Sequence, residues 1–588
     1  MLLKEAAGLH QAGRLADAEA RYREVLKADA TNFDAAQGLA RLQFQSGRFD
    51  DALAIIDRAI ADHPERAELW SNRGAALAAM KRFDEATACF DRALRLNPSF
   101  VGAQVNRANA LLELGRYADA IRDYENVLRT NPDAASARGG LIRCKIQICD
   151  WKGLEAAWEQ ALVDIRAGKS AVPPMVATAL CRSAEDQLHC ARILAQRYFS
   201  ARAPLWRGER YGHKRIRLAY VSADFHAHAT ATLSAGLFEQ HDSGRFETYA
   251  LSFGPDDGSR MRQRLERAFT RFLHVPGASD DEIAKSLREM EIDVAVDLKG
   301  FTADARPGIF ARRPAPVQVS YLGYPGTMGV PYIDYLIADR IVIPPGERRH
   351  YSEAVVYLPD SYQPNDSTRE IALITPTRSE LRLPEAGFVY CCFNNPYKIT
   401  PDMFDIWMQL LNEVDASVLW LLEDSQAAMD NLRREAAARG VSPERLVFAP
   451  RMPPEQHLAR QRAADLFLDT LPYNAHTTAS DALWAGVPVL TALGATFAGR
   501  VAASLLEAVG LPELVASSLD EYHAKALKLA REPADLAGLR NKLASNRDGS
   551  PLFNTRRYTR HLEAAYLEMI ERQRRGERPQ AFTVEPLN

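Results

Sequence analysis

Apolar positions in the first part of the chain recur with one long period. The stretches GRLADA, GRFDDA, KRFDEA and GRYADA begin at residues 13, 47, 81 and 115, a spacing of 34. Ala18, Ala52, Ala86 and Ala120 share one phase, and Tyr22, Ile56, Phe90 and Tyr124 share another. Pro64, Pro98 and Pro132 close three of the units. A small Ala beside a large apolar residue at this period predicts two antiparallel helices per unit, crossing closely at the Ala. The series Leu15, Phe49, Phe83, Tyr117 continues to Trp151, which predicts a fifth, degenerate unit and an array over residues 1–165. Repeat logic makes each of these rings core.

This is the tetratricopeptide pattern, whose concave face is expected to take extended polypeptide. Asn72 and Asn106 share a phase suited to a peptide backbone, but Gly38 and Gly140 hold that phase in neighbouring units. Self-association into a homodimer is the alternative use of so short an array.

The pattern changes after a helical connector, residues 166–213. KRIRLAYVSADF has a charged start, an apolar run and a polar turn, the mark of a buried parallel strand. FETYALSFG, IDVAVDLKG, PVQVSYLGYPG, YLIADRIVI and AVVYLP repeat it, with helical stretches such as MRQRLERAFTRF and SDDEIAKSLREM between. A second set begins near Gly387 with FVYCCFNN, SVLWLLED, RLVFAP, ADLFLDT and VPVLT. Alternation of this kind predicts two doubly wound, Rossmann-like halves around a cleft, at 214–374 and 375–545. Residues 364–386 form a polar, Pro-rich joint, and 546–588 carry a C-terminal helix that braces the halves. The fold class is multidomain: an all-α superhelix followed by α/β.

Composition narrows the function classes. The 588 residues are 47% hydrophobic and 25% charged, which suits a folded protein of several domains. The net charge of −3 gives no general reason for nucleic-acid binding. Seven cysteines without a C-x-x-C pair point to a reducing compartment. The first residues interleave charge with apolar positions, unlike a signal peptide, and no run is long enough to cross a bilayer. A cytoplasmic protein without membrane or nucleic-acid partners is expected.

Chemistry-bearing residues gather at predicted strand ends. The stretch LDTLPYNAHTTASDALWAGVPVLT joins a strand to a helix through Asn474, His476, Thr477 and Thr478. Thr478 and Asp481 have capping-box spacing, which predicts Thr478 as the helix cap. Helix-start amides and hydroxyls would equally hold an anion such as a diphosphate. Lys398 follows a strand and precedes the helix at ITPD, where it would neutralise a phosphate as a point charge. His457 opens a helix, and His226 and His228 follow the first strand of the α/β region. Gly323 and Gly326 allow close backbone approach. No P-loop, no G-x-G-x-x-G after either first strand, no H-E-x-x-H and no D-x-D after a strand is present. Metal ligands and a resident cofactor are therefore not expected.

The ordered motifs DFHAH, RPAPVQVSYLGYPGT, NNPYKI, HTTASDALWAGVPV, RVAAS and SPLFNTRRY, behind a tetratricopeptide array, resemble the O-linked N-acetylglucosamine transferase family in its compact bacterial form. The resemblance implies a GT-B fold and an inverting, metal-independent transfer of GlcNAc from UDP-GlcNAc to protein Ser or Thr. It implies that Lys398 stabilises departing UDP and that Asn395, His476, Thr477 and Thr478 meet the diphosphate. Asp481 would reach the ribose and His457 the uracil. His228 would orient the acceptor or take its proton, and Leu322 and Gly323 would line the sugar pocket. The sequence departs from animal members at Ala229, Pro454 and Tyr473. A bulky Tyr473 beside the sugar leaves open another UDP-sugar, including an N-linked hexosyl transfer to Asn. A tetratricopeptide scaffold with an inactive catalytic half is the alternative outside enzymes.

Overall fold

A computed structural model describes residues 1–169 and 172–587. The chain divides into two compact units, residues 1–145 and 146–588.

The first unit is a tetratricopeptide array. Its helix pairs are Leu2–Gln11 with Leu15–Ala28, Phe33–Gln45 with Phe49–Asp62, Ala67–Ala79 with Phe83–Leu96, and Val101–Glu113 with Tyr117–Thr130. Ala18, Ala52, Ala86 and Ala120 are fully buried, so no larger side chain fits at the crossings. Tyr22, Ile56, Phe90 and Tyr124 pack beside them. The interrupted asparagine phase has a packing cause. A Cβ on Gly38 would lie 2.5 Å from the Tyr22 ring, and one on Gly140 would lie 2.3 Å from the Tyr124 ring. Asn72 and Asn106 are half-buried on the first helices of their pairs. Next to Asn106, Arg107 bridges Asp123 at 2.6 Å and Asp91 at 2.7 Å, tying consecutive units together. Trp151 lies in the second unit, where it packs on Phe404 with ring centroids 5.2 Å apart.

The second unit contains two parallel sheets. The first uses β1 (Ile216–Ser222), β2 (Phe246–Ser252), β3 (Arg271–His274), β4 (Val294–Asp297), β5 (Val317–Ser320), β6 (Tyr335–Ala338) and β7 (Ala354–Tyr357). The second uses β8 (Val389–Cys392), β9 (Val418–Leu422), β10 (Leu446–Ala449), β11 (Leu466–Leu468), β12 (Val489–Ala492) and β13 (Val515–Ala516). A tail strand, β14 (Phe582–Thr583), returns to the first sheet, whose order is β14-β7-β6-β5-β4-β1-β2-β3. The second sheet runs β10-β9-β8-β11-β12-β13.

These orders fix where ligands fit. In an open parallel sheet the crevice opens where successive crossovers leave in opposite directions, at the carboxyl ends of the strands. That point lies between β1 and β4, where Leu218 faces Val294, and between β8 and β11, where Tyr390 faces Leu466.

One local expectation is corrected. MRQRLERAFTRF is not one helix. The helix Arg260–Ala268 stops and β3 begins at Arg271, because the β-prone TRFLH run pairs with β2. β13 and β14 are two-residue strands, too short to show a period. The helix Thr555–Arg574 crosses to the first sheet, where Tyr558, Leu562, Tyr566 and Ile570 join the core of β1, β2 and β4. Its Tyr558 hydroxyl shares a 2.6 Å hydrogen bond with Tyr321, and Tyr566 lies 3.3 Å from the Tyr220 hydroxyl.

Candidate functional site

The loop after β8 and the loop after β11 flank the crevice of the second sheet. Asn394 and Asn395 follow β8 and lead into a short 3-10 turn, Pro396–Lys398, which aims Lys398 across the crevice. Its ammonium donates to the Asn474 carbonyl at 2.8 Å, 76 residues away in sequence. It also sits 3.9 Å from the centroid of the Tyr473 ring. Burial holds the Lys398 pKa below the ordinary lysine range, with the nearby Asp469 carboxylate acting in the opposite sense.

Asp469 organises the facing loop. Oδ1 accepts the amides of Thr470 at 2.7 Å and Ala475 at 2.5 Å, and Oδ2 accepts the Thr491 hydroxyl at 2.6 Å. Burial pushes the Asp469 pKa up. Asn474 donates to the Thr470 carbonyl at 2.8 Å, and Thr400 donates to that of Leu471 at 3.0 Å. The loop between β11 and its helix is therefore held from inside, and its outer amides are left over.

The capping-box expectation is corrected here. The helix runs Thr477–Ala485, its N-cap is His476, and no side chain caps it. Thr478 lies two residues past the cap position. Its hydroxyl donates instead to Asn394 Oδ1 at 2.5 Å. The amides of Thr477, Thr478 and Ala479 have no hydrogen-bond partner among the described residues. Three free N–H groups beside the positive end of a helix dipole, facing a buried ammonium, make an anion site.

The His476 Nε2 lies 3.1 Å from the Ala498 carbonyl, which can only accept, so Nε2 carries the proton. Burial, followed by the charge of Lys398, drives its pKa well below the usual histidine value. The imidazole is thus neutral, and its centroid lies 4.9 Å from that of the Tyr473 ring.

His457 lies in the first turn of the helix Pro454–Gln461. Its ring packs edge-on against Phe393, centroids 5.1 Å apart, and its Nδ1 accepts Arg460 Nε–H at 3.0 Å. Burial and the Arg460 charge push its pKa down to about 4, so the ring is neutral. Asp481 is not free: Arg369 donates to its Oδ1 at 2.6 Å.

The crevice of the first sheet carries a second cluster. Asp224 follows β1 and Lys299 follows β4, and the two meet in a buried ion pair with distances of 2.7 and 2.9 Å. His228 caps the helix Ala229–Glu239, and its Nδ1 accepts the Thr230 amide at 3.2 Å. Asp224 Oδ2 lies 3.5 Å from the same nitrogen. Burial lowers the His228 pKa. Asp224 opposes that shift, while Lys299 and His226 add to it.

Leu322 has a φ of 66°, a strained value for a branched side chain, and it packs against the cores of both sheets. Gly323 is obligatory, since a Cβ there would lie 1.9 Å from the Leu298 carbonyl oxygen.

Lys398, Tyr473, His476, Thr477 and Thr478 thus converge. Asn395 is exposed at the start of their turn. His457 and Asp481 form a neighbouring group. His228 makes no direct contact with either set among the described residues. Sequence reasoning missed Asp224, Lys299, Arg369, Asn394, Arg460 and Asp469. Asp224, Lys299, Asn394 and Asp469, polar residues just past apolar strands, carried a local signal, while Arg369 and Arg460 carried none. A separate cavity of about 630 Å³ lies beside Asp360 and Asn546. Two of its polar groups are already paired, Asp360 with Arg557 at 2.7 Å and Asn546 with the Val509 carbonyl at 2.9 Å. Among the described residues no group of three or more His, Cys, Asp or Glu is placed to hold a metal, and no helix is long and apolar enough to cross a membrane.

Comparison with known proteins identifies relatives of both units. The sequence model of glycosyl transferase family 41 matches residues 182–371 and 365–562. Tetratricopeptide models match 9–76, 67–100 and 105–151. An Arabidopsis thaliana protein described as a probable UDP-N-acetylglucosamine–peptide N-acetylglucosaminyltransferase, SEC, is 38% identical over 423 residues, covering 70% of this chain and 43% of that protein. The Caenorhabditis elegans UDP-N-acetylglucosamine–peptide N-acetylglucosaminyltransferase is 27% identical over 490 residues, covering 64% of this chain and 43% of that protein. This chain therefore spans less than half the length of these curated relatives. A solved Thermobaculum terrenum O-GlcNAc transferase mutant is 28% identical and superposes with a TM-score of 0.68, over 93% of this chain and 99% of that one.

Proposed function

Since this chain belongs to glycosyl transferase family 41, we propose that it moves GlcNAc from UDP-GlcNAc to Ser or Thr hydroxyls of proteins, inverting the anomeric carbon without a metal ion. The observation that carries this reading is the β8–β11 crevice, where the buried Lys398 faces the free amides at Thr477 and Thr478.

The diphosphate lies on those amides, with Lys398 against the oxygen that leaves C1 and Asn395 at the rim. His476 closes the loop side. Uracil packs on His457, the ribose meets Asp481, and the sugar lies among Leu322, Gly323 and Tyr473. The acceptor oxygen bonds to C1 as the bond from C1 to the UDP oxygen breaks. The bonding pair passes to UDP, where Lys398 and the helix amides stabilise it. Holding both partners in one cleft supplies orientation. His228 orients the acceptor: with Nδ1 accepting the Thr230 amide, the neutral ring bears its proton on Nε2 and donates from there. The hydroxyl proton leaves to solvent. The array is the docking surface for the protein acceptor, and a second copy of the chain is its alternative occupant. All seven cysteines are buried and unpaired, which suits the reducing cytoplasm.

Tyr473 favours a second reading. Its ring occupies the space beside Lys398, which suits a donor sugar without the N-acetyl group and leaves Asn as the acceptor. Intact-mass analysis of acceptor proteins incubated with UDP-GlcNAc or UDP-glucose separates the two. A mass gain with neither donor, and no heat on titrating UDP, would leave only the scaffold reading.

Two further outcomes are expected. Turnover persists in EDTA, because fixed positive groups serve the diphosphate. Loss of turnover in EDTA, restored by Mn²⁺ or Mg²⁺, would reveal a metal step. UDP affinity falls as pH rises through the alkaline range, before an ordinary lysine would titrate. The sign follows from Lys398: burial lowers its pKa, the charged form binds the diphosphate, and raising the pH removes that form first. Calorimetric affinity that is flat across this range in wild type would remove Lys398 from the diphosphate.

A further inference from the structure

Arg369 lies in the joint between the two halves, in a stretch that no motif marked. Its side chain is only 9% exposed. Nη2 donates to Asp481 Oδ1 at 2.6 Å, while Nη1 is buried with no partner. The Arg369 carbonyl accepts Trp484 Nε1–H at 3.2 Å, which fastens it to the helix that begins at Thr477. Three residues on, the Ala372 amide donates to the Glu455 carbonyl at 3.0 Å, on the helix that carries His457. The joint is therefore pinned to both walls of the proposed nucleoside pocket. Arg460, the neighbour of His457, also keeps a buried guanidinium nitrogen, Nη2, without a partner.

A buried N–H without an acceptor is costly, so such groups call for an explanation. Here the orphaned donor sits on the guanidinium already bonded to Asp481. Asp481 uses Oδ1 for Arg369, and no described residue bonds its Oδ2. A free carboxylate oxygen beside a free guanidinium N–H matches a vicinal diol: one hydroxyl donates to the carboxylate and the other accepts from the guanidinium. We propose that Arg369 binds the donor nucleotide directly and, with Asp481, clamps the two hydroxyls of its ribose. This rests on the UDP-sugar reading above. The arginine also has a positioning effect, since its bond to Oδ1 turns Oδ2 toward the diol. Its charge, with that of Arg460, helps keep His457 neutral.

The test is calorimetry on the full chain with UDP and 2′,3′-dideoxy-UDP as probes, alongside steady-state kinetics. Arg369→Gln is expected to weaken UDP about tenfold, as for one lost charge-assisted hydrogen bond, and to leave the already weaker dideoxy-UDP affinity nearly unchanged. The donor KM rises by more than kcat falls. Arg369→Lys, which keeps the charge, recovers part of the UDP affinity. Adding Asp481→Asn to Arg369→Gln costs less than the sum of the single changes, because the two act on one diol. Equal losses for UDP and dideoxy-UDP would overturn the proposal and make Arg369 a brace of the joint, as would unchanged UDP binding. Thermal melting shows whether either variant is folded. If wild type binds no UDP, the donor reading itself fails and takes this one with it.

Discussion

Lys398→Ala lowers kcat far more than it weakens UDP-sugar binding. The Lys398 ammonium is held by the Asn474 carbonyl and the Tyr473 ring, both neutral partners. Burial makes its charge costly before substrate arrives. A ground-state diphosphate is shared among Lys398, the Thr477 and Thr478 amides and the helix dipole, so losing one group weakens binding modestly. In the transition state further negative charge develops on the leaving oxygen as its bond to C1 breaks, and the buried ammonium interacts with it in a low dielectric. Removing one such group typically costs about 2–4 kcal/mol in the transition state, or roughly 30- to 1,000-fold in rate. Single-turnover rates with saturating UDP-sugar measure this directly. A rate near wild type would mean that Lys398 does not meet the leaving group. Equal losses in binding and rate would make it a uniform binding residue.

Deleting residues 1–131 spares UDP binding and cripples the modification of whole proteins. The cut falls after the fourth helix pair, which ends at Thr130. The proposed nucleotide residues run from Asn395 to Asp481, and Arg369 adds to them. All lie within the unit that spans 146–588. Calorimetric UDP affinity is therefore expected to stay within a factor of about two of the full chain, a difference of roughly 0.4 kcal/mol. Whole-protein kcat/KM is expected to fall about tenfold or more, the equivalent of 1.4 kcal/mol of lost docking energy. Short peptides, which engage little of the concave face, lose less. Equal rates on whole proteins before and after truncation would show that the array does not read the substrate, leaving dimerisation or placement in the cell as its role. A parallel loss of UDP affinity would mean that the truncation had damaged the catalytic fold.

Much of the architecture was legible because its signals are local. The 34-residue period follows from a helix pair that can bury its apolar face only against its neighbours, so each unit repeats the same constraint. Buried parallel strands read as apolar runs because both faces are covered. Lys398 and the His476–Thr478 turn stood out because polar residues directly after such runs lie at strand carboxyl ends, where crevices open. Where the sequence misled, a competing local rule was satisfied in form but not in space. Thr478 and Asp481 have capping-box spacing, yet the helix begins at Thr477, which leaves Thr478 to bond Asn394 and Asp481 to bond Arg369.

By itself the sequence determined the repeat array, the two α/β halves and the strand-to-helix turns that present Lys398, His476 and His228. The tertiary structure decided which of these groups meet. Lys398 reaches Asn474 across 76 residues because β8 and β11 are neighbours. Asp224 reaches Lys299 across 75 because β1 and β4 are neighbours. Arg369 reaches Asp481 across 112 because the joint folds back on the helix after β11. Strand order and chain return have no period in the sequence. They are set by the collective burial of whole sheets and helices, so the charges they bring together could be seen only once the chain was folded.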